Sequence, residues 1–573
     1  MMNLVDHITI LVLLVAPSLC SDVVTVGTSC ERVNGSVVKI GGRKIYEFHQ
    51  MPYAEPPVGD LRWTHSKPIS REHCVPGRVY DATKETRTTN PIKCVNAYDD
   101  DYPEQVVGVE DCLYLTVRSP SLEPNASLPV LVWIHGGSLK TGYSDYPGYA
   151  PDTEFTDDLR VVTVNINYRL EVFGFFSSPD IWDDPENPGN FGNFGIGDAI
   201  TALQWVQENI VNFGGDLNSV TILGESSGGT VVLGLLGSEK ADGLFHKAIS
   251  LSAPPLWKAN PQSAYEKRED FAKKVGCTQG SAGGRRRCLK SKPVLDLIRN
   301  RDLNRGWGFY DFPYADGEKG ESMDYNVLDN VIVQSVPFKL AYMRRKQNVK
   351  VIIGNTAQET GANAIDYDTN KVASWQEAKD LLGQKIDKFQ SERPDIRLNK
   401  YNLLRSIMMA YDYRRVSSDW WPQIFFDTLT TDVRTTCLNN MLVKTMNSNR
   451  NIDAYRLYIK SRPNEIKCGT PWSTIHGWDT EALFGYGYYG PFMEKTTISD
   501  VHQKQFKDNM RQLVASFCYD RISDSWNTET ALIMENDGFP NSVRLSDWRD
   551  PFPQSSECKV WEASNLLKFG WQN

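Results

Sequence analysis

The sequence predicts an α/β protein with a large, mostly parallel central sheet flanked by helices in a single domain. Three observations carry that expectation. β-Branched apolar runs bounded by turn residues recur through the first half of the chain, amphipathic helical patterns lie between them, and no linker, internal repeat or low-complexity tract divides the 573 residues.

The clearest strand patterns are Leu128–Ile134 and 160–165, whose near-continuous Val, Leu, Ile and Thr content suits strands buried on both faces. Between them and the next strand, predicted at 219–223, the stretch 198–210 places Ala199, Ala202, Leu203, Val206 and Ile210 at helical spacing. Strand, helix, strand is the rhythm of a parallel sheet. The second half is more helical, and Phe506, Met510, Leu513, Val514 and Phe517 in 501–517 form a stripe suited to core packing.

Hydrophobic residues at 40% and charged residues at 23% are globular proportions, which excludes disorder. A net charge of −9 without a basic stripe excludes nucleic acid as a partner. The one tight basic run, Arg285-Arg286-Arg287 after Ser281-Ala282-Gly283-Gly284, reads as an exposed, solvated loop.

Residues 1–20 read as a signal peptide, with an apolar run at 8–19 broken by Pro17, leaving 21–573 as the folded domain. No other apolar stretch is long enough to span a bilayer, and the C-terminus has neither a GPI tail nor a KDEL-like address. The expectation is a secreted, extracellular protein without a membrane anchor. Of 11 cysteines, loss of Cys20 leaves an even number suited to disulfides, and the sequons at Asn34 and Asn125 suit the same compartment.

Chemistry concentrates at Gly224-Glu225-Ser226-Ser227-Gly228-Gly229, which lies between the predicted strand and an apolar helical run at 230–236. That is the strand–turn–helix setting of a G-x-S-x-G nucleophile turn, and the glycine spacing selects Ser226 over Ser227. The helix aims its first amides, beginning with Ser227 N–H, at a developing oxyanion. His135-Gly136-Gly137-Ser138, just past the strand Leu128–Ile134, sits where the other oxyanion amide is expected.

A serine hydroxyl needs a general base. With the order serine, acid, histidine, only His476 and His502 of eight histidines lie late enough. His502 begins the amphipathic stretch and reads as packed or surface; His476 follows turn formers at 468–474 and precedes Gly477, so it is the candidate base. Glu359, just after a strand pattern at 349–353, is the candidate acid, with Asp366 and Asp368 as competitors better suited to solvent. No ligand spacing such as H-E-x-x-H occurs, so neither a metal nor an organic cofactor is expected.

Further motifs are 51–62 (Met-Pro-Tyr-Ala-Glu-Pro-Pro-Val-Gly-Asp-Leu-Arg), Glu110-Asp111-Cys112-Leu113-Tyr114-Leu115, Asn167-Tyr168-Arg169, Gly192-Asn193-Phe194-Gly195, Phe213-Gly214-Gly215-Asp216, His476-Gly477-Trp478-Asp479 and Leu483-Phe484-Gly485. With the serine turn, they make the chain resemble the type-B carboxylesterases of the carboxylesterase/cholinesterase family over nearly its whole mature length. The resemblance implies an α/β-hydrolase fold and hydrolysis of small-molecule carboxylic esters by Ser226, Glu359 and His476. It also implies an oxyanion hole from the amides of Gly137, Ser138 and Ser227, with Gly136 shaping the loop. It would pair Cys94 with Cys112, Cys277 with Cys288 and Cys437 with Cys558. Cys30, Cys74, Cys468 and Cys518 remain, with three connectivities open.

Ser138 and Ser227 stand where the family usually has Gly or Ala, and Thr360 where Gly usually follows the acid. Between Cys94 and Cys112 the chain has Tyr98 and Tyr102 but no Trp, which disfavours a cholinesterase, and Glu225 replaces the Gln usual in juvenile hormone esterases. Two other readings are an inactive adhesion or binding protein on the same scaffold and a lipase or cholesterol-esterase-like enzyme. Nothing in the sequence fixes an oligomeric state.

Overall fold

The computed structural model describes residues 22–569 apart from 257–270, 301–328, 360–371, 412–420, 462–473, 488–495, 546–553 and shorter stretches. The leader read at 1–20 lies outside the described residues, as do Tyr98, Tyr102, Thr360, Asp366, Asp368 and Cys468.

Among the described residues, thirteen strands form one sheet: β1 (Val23–Gly27), β2 (Arg32–Ile40), β3 (Arg43–Pro52), β4 (Val79–Asp81), β5 (Tyr114–Ser119), β6 (Leu128–Ile134), β7 (Val162–Ile166), β8 (Gly215–Glu225), β9 (Lys247–Leu251), β10 (Val349–Thr356), β11 (Ile452–Ile459), β12 (Ala531–Glu535) and β13 (Ser542–Leu545). Their spatial order is β1-β2-β3-β5-β7-β6-β8-β9-β10-β11-β12-β13, with β4 beside β2. From β7 to β12 all neighbours are parallel. Antiparallel strands extend both edges.

The central strands are buried on both faces because alternate residues feed two cores. Val130, Val132, Ile134, Val220 and Ile222 enter one; Leu131, Trp133, Leu223, Ile249 and Ile352 enter the other. Helix α1 (Thr153–Leu159) precedes β7, α2 (Phe194–Asn209) joins β7 to β8, and α3 (Ser227–Leu236) joins β8 to β9. All ten residues of α3 are buried, so it is apolar all round, as a helix inside a large core must be. Each fully buried Val or Leu there contributes about 1.5–3 kcal/mol.

The predicted elements are present with shifted ends. Helix α2 begins at Phe194 rather than at 198, and β8 extends from Gly215 to Glu225. The basic run is not a loop. Arg285-Arg286-Arg287 lies in helix α4 (Ala282–Ser291), whose N-cap Ser281 accepts the Gly284 amide. Arg285 makes a bidentate pair with Asp180 at 2.8 and 2.5 Å, and Arg286 faces Asp184, so neighbouring carboxylates hold these charges.

Disulfides join Cys30 to Cys74, Cys94 to Cys112, Cys277 to Cys288 and Cys437 to Cys558. Cys518 is a buried thiol, and its possible partner Cys468 lies outside the described residues. Among the described residues, no helix is long and apolar enough to cross a membrane.

One buried ion pair ties the motif residues together. Arg169, in the loop after β7, meets Asp198 of α2 through two side-chain hydrogen bonds of 2.8 and 2.6 Å, and its own amide donates to the same carboxylate at 3.0 Å. Both side chains are almost fully buried. Arg169→Met leaves the Asp198 carboxylate buried without its counter-ion and is expected to lower stability by about 3–5 kcal/mol in chemical denaturation. Adding Asp198→Leu should recover most of that loss; equal stability of Arg169→Met and wild type would refute the assignment.

Candidate active site

The chain leaves β8 at Glu225 and enters α3 at Ser227, so Ser226 makes the whole turn. Its backbone sits at φ 55°, ψ −127°, a region that costs a non-glycine residue about 1–3 kcal/mol. Two hydrogen bonds hold it there: Ser226 N–H donates to Leu251 O at the end of β9 (2.9 Å), and Thr230 N–H donates to Ser226 O (3.1 Å). The flanking glycines are steric requirements. A Cβ on Gly224 would lie 2.3 Å from Gly228 O, and one on Gly228 would lie 2.2 Å from Ile134 O.

His476 Nε2 lies 2.9 Å from Ser226 Oγ, and its Nδ1 lies 2.5 Å from Glu359 Oε2. With its proton on Nδ1, the ring donates to Glu359 and accepts from Ser226. The other Glu359 oxygen accepts from Ser252 Oγ and from Thr356 N–H, both at 2.7 Å. Glu359 and His476 are 117 residues apart in sequence, and Gln358 joins their loops. Its amide donates to Thr474 O at 3.0 Å, and its Oε1 accepts Thr474 N–H at 2.8 Å. Ser252 and Gln358 escaped the sequence reading, because nothing local in the sequence marks either one. His502 falls in the first turn of helix Val501–Cys518, and its side chain lies outside the described residues.

The loop after β6 turns sharply through Gly137 (φ 111°), Ser138 (φ 58°) and Leu139 (φ 58°). Left-handed geometry at the last two costs about 1–2 kcal/mol each. Gly136 packs against Glu225, since its Cβ would lie 2.7 Å from Glu225 O. Lys140 and Thr141 amides both donate to Gly137 O, and Leu139 N–H donates to Ser227 Oγ at 3.0 Å. Among the described residues, no hydrogen-bond acceptor is found for the amides of Gly137, Ser138 and Ser227. Nor does any cluster of three or more His, Cys, Asp or Glu there have the makings of a metal site.

Comparison with family profiles matches the Carboxylesterase family over residues 22–551. The chain belongs to the carboxylesterase family. It is 33% identical to liver carboxylesterase 1 of Oryctolagus cuniculus over 354 residues, 58% of this chain and 57% of that protein. It is 36% identical to carboxylesterase 3 of Homo sapiens over 295 residues, 48% of each chain. With the medium-chain fatty acyl-CoA hydrolase precursor of Anas platyrhynchos the identity is 38% over 281 residues, 47% of this chain and 48% of that protein. The chain thus spans about half to three-fifths of the length of these curated relatives. Its sheet, turn and flanking helices are the family's α/β-hydrolase fold.

Around the imidazole this carboxylesterase-family chain gathers several buried carboxyl groups. Glu225 Oε1 lies 3.3 Å from His476 Nε2, and the other Glu225 oxygen accepts from the Tyr149 hydroxyl. Burial pushes the Glu225 carboxyl up to about 8, with Asp479 and Glu359 adding to the rise and His476 opposing it. Burial likewise raises Asp479 to about 7. For His476, burial acts downward, but the Glu225 and Glu359 carboxylates outweigh it and push the ring up to about 9. A raised pKa keeps the ring protonated, and so unable to accept a proton, until higher pH. Glu225→Gln removes one of the groups that raise it, so the acidic limb of Ser226 labelling by a fluorophosphonate should move to lower pH by about one unit. A limb that stays in place would show that Glu225 does not set it.

Proposed function

We propose that this chain is a secreted serine carboxylesterase that hydrolyses small-molecule carboxylic esters through an acyl-enzyme on Ser226. The observation that carries the reading is the unbroken hydrogen-bonded line Ser226 Oγ, His476, Glu359, with the second Glu359 oxygen also occupied. Membership of the carboxylesterase family supports it, as do relatives named as carboxylesterases.

In the proposed reaction, Ser226 Oγ bonds to the ester carbonyl carbon as His476 Nε2 takes the hydroxyl proton. Glu359 orients the ring through Nδ1 and stabilises the imidazolium by its charge. The amides of Gly137, Ser138 and Ser227 hold the oxyanion, with Gly136 letting the loop approach closely. As the tetrahedral adduct collapses, the C–O bond to the alcohol breaks and His476 returns the proton to the leaving oxygen. Water then repeats the sequence on the acyl-enzyme, releasing the carboxylic acid and regenerating Ser226. The intact triad favours this over an inactive adhesion protein. No residue of the scheme calls for a metal or cofactor.

Secretion is supported by the leader read at 1–20 and by the four disulfides found among the described residues. The two sequons differ in presentation. Asn125 is exposed in a short 3-10 turn, whereas Asn34 is half-buried within β2 and accepts a hydrogen bond from Thr25 Oγ1 at 2.7 Å. Protein from a secretory host should carry one N-glycan, at Asn125; intact mass with and without N-glycosidase, on Asn125→Gln and Asn34→Gln, checks the assignment.

Ser226→Ala and His476→Ala should each lower turnover of a short p-nitrophenyl ester at least about 10³-fold, and Ser226→Ala should abolish fluorophosphonate labelling. Labelling that persists without Ser226 would remove the central assignment, and near-normal turnover by His476→Ala would mean that another group is the base. A wild-type protein that is neither labelled nor active would favour the adhesion reading.

A further inference from the structure

Ser227 has two separate chemical resources. Its amide belongs to the proposed oxyanion hole; its hydroxyl makes contacts of its own. Ser227 Oγ accepts the Leu139 amide at 3.0 Å. The Tyr168 hydroxyl donates to His135 O at 2.7 Å. The two bonds hold the loop that carries Gly136, Gly137 and Ser138 at both ends: His135 O through Tyr168, and Leu139 N–H through the first residue of α3.

The loop needs such a tie. Ser138 and Leu139 both hold φ 58°, the left-handed region that side chains disfavour, and Gly137 holds φ 111°. Leu139 is fully buried, so its amide has no water to fall back on. His135, Tyr168 and Ser227 are each at most 2% exposed, and the His135 ring stacks on Tyr168 with centroids 4.5 Å apart. Alanine at position 227 would keep the backbone amide but leave Leu139 N–H unpaired. The Leu139 peptide could then rotate to relieve both its strain and its missing bond, and the Ser138 amide would turn with it.

We infer that the Ser227 hydroxyl is a positioning residue: it locks the loop of Gly136, Gly137 and Ser138 to the nucleophile turn and so sets where the oxyanion amides point. The inference rests on the reading of Ser226 as the nucleophile and adds to it that a side chain, rather than glycine backbone alone, fixes the oxyanion geometry in this chain. The group favoured is the tetrahedral oxyanion and not the planar ester, so the effect belongs in kcat.

The test compares wild type, Ser227→Ala and Tyr168→Phe on a short p-nitrophenyl ester, with affinity for a trifluoromethyl ketone that adds to the serine as a tetrahedral hemiketal. Ser227→Ala should lower kcat about 10- to 100-fold with KM within about twofold, and should weaken the ketone by the same factor as kcat/KM. Tyr168→Phe, which cuts only the link to His135, should lower both in the same direction by less. A Ser227→Ala protein whose kcat and ketone affinity both stay within about twofold of wild type overturns the inference. If Ser227→Ala does not fold, Ser227→Cys, whose sulfur is a much weaker acceptor for Leu139 N–H, decides instead, and an unchanged kcat and ketone affinity in that variant overturns it. Wild-type protein without fluorophosphonate labelling at Ser226 would instead bring down the proposed function itself.

Discussion

The backbone-to-backbone contact between the turn at Ser226 and the end of β6 is the constraint from which the rest of the site follows. Gly228 meets Ile134 O and His135 O so closely that a Cβ there would lie 2.2 and 2.7 Å from them, and a Cβ on Gly224 would strike Gly228 itself. Strand β8 sits in register with β6, Gly224 beside Ile134, so the turn at Ser226 and the stem of the glycine loop leave the sheet at the same level. Any side chain at either glycine would lift α3 off β6 and separate the serine from the amides. The strained φ of Ser226 persists because neighbours on both sides over-determine it, through Leu251 O from β9 and Thr230 within α3.

The same strand-end logic delivers the proposed acid and base. Consecutive parallel strands finish at one edge, and each finish is tied to the next: Ser226 N–H to Leu251 O, Ser252 N–H to Gly354 O, and Ser252 Oγ to Glu359. Glu359 is therefore braced from β9 and β10 before His476 arrives, and Gln358 fastens the histidine loop to the acid loop. Burying Glu225, Glu359 and Asp479 around one imidazole would be prohibitive if all three were charged. Burial displaces the Glu225 and Asp479 carboxyls upward, which eases that cost, while His476 opposes the displacement of both.

How much of this was legible in sequence depends on whether a constraint is local. The spacing Gly224-x-Ser226-x-Gly228 is a steric statement written in five residues, and β6 and β7 announced themselves by apolar runs that two-sided burial requires. The start of α2 was misread because Gly195 and Gly197 look like loop residues; in the fold a Cβ on Gly195 would lie 2.6 Å from Arg169 O, so the glycines serve close packing within a helix. The run Ser281-Ala282-Gly283-Gly284 similarly disguised the N-cap of α4, and the acidic partners of Arg285 and Arg286 lie about a hundred residues away. Ser252, Gln358 and Tyr149 left no local trace, because their roles depend on which strand ends become neighbours.

Ser138 and Ser227 extend that distinction from reading a site to building one. A glycine at 138 would adopt φ 58° at little steric cost but would leave the loop free to adopt other conformations; serine narrows those alternatives while adding strain at the observed one. A strained conformation is stable only if something nearby makes every exit worse. Here the exits are closed by buried partners: the Ser227 hydroxyl under Leu139 N–H, Tyr168 under His135 O, and Gly137 O capped by the amides of Lys140 and Thr141. Departures from the family pattern at two positions, which look independent in sequence, therefore belong to one physical arrangement, in which added rigidity in the loop is matched by an added bond from the turn.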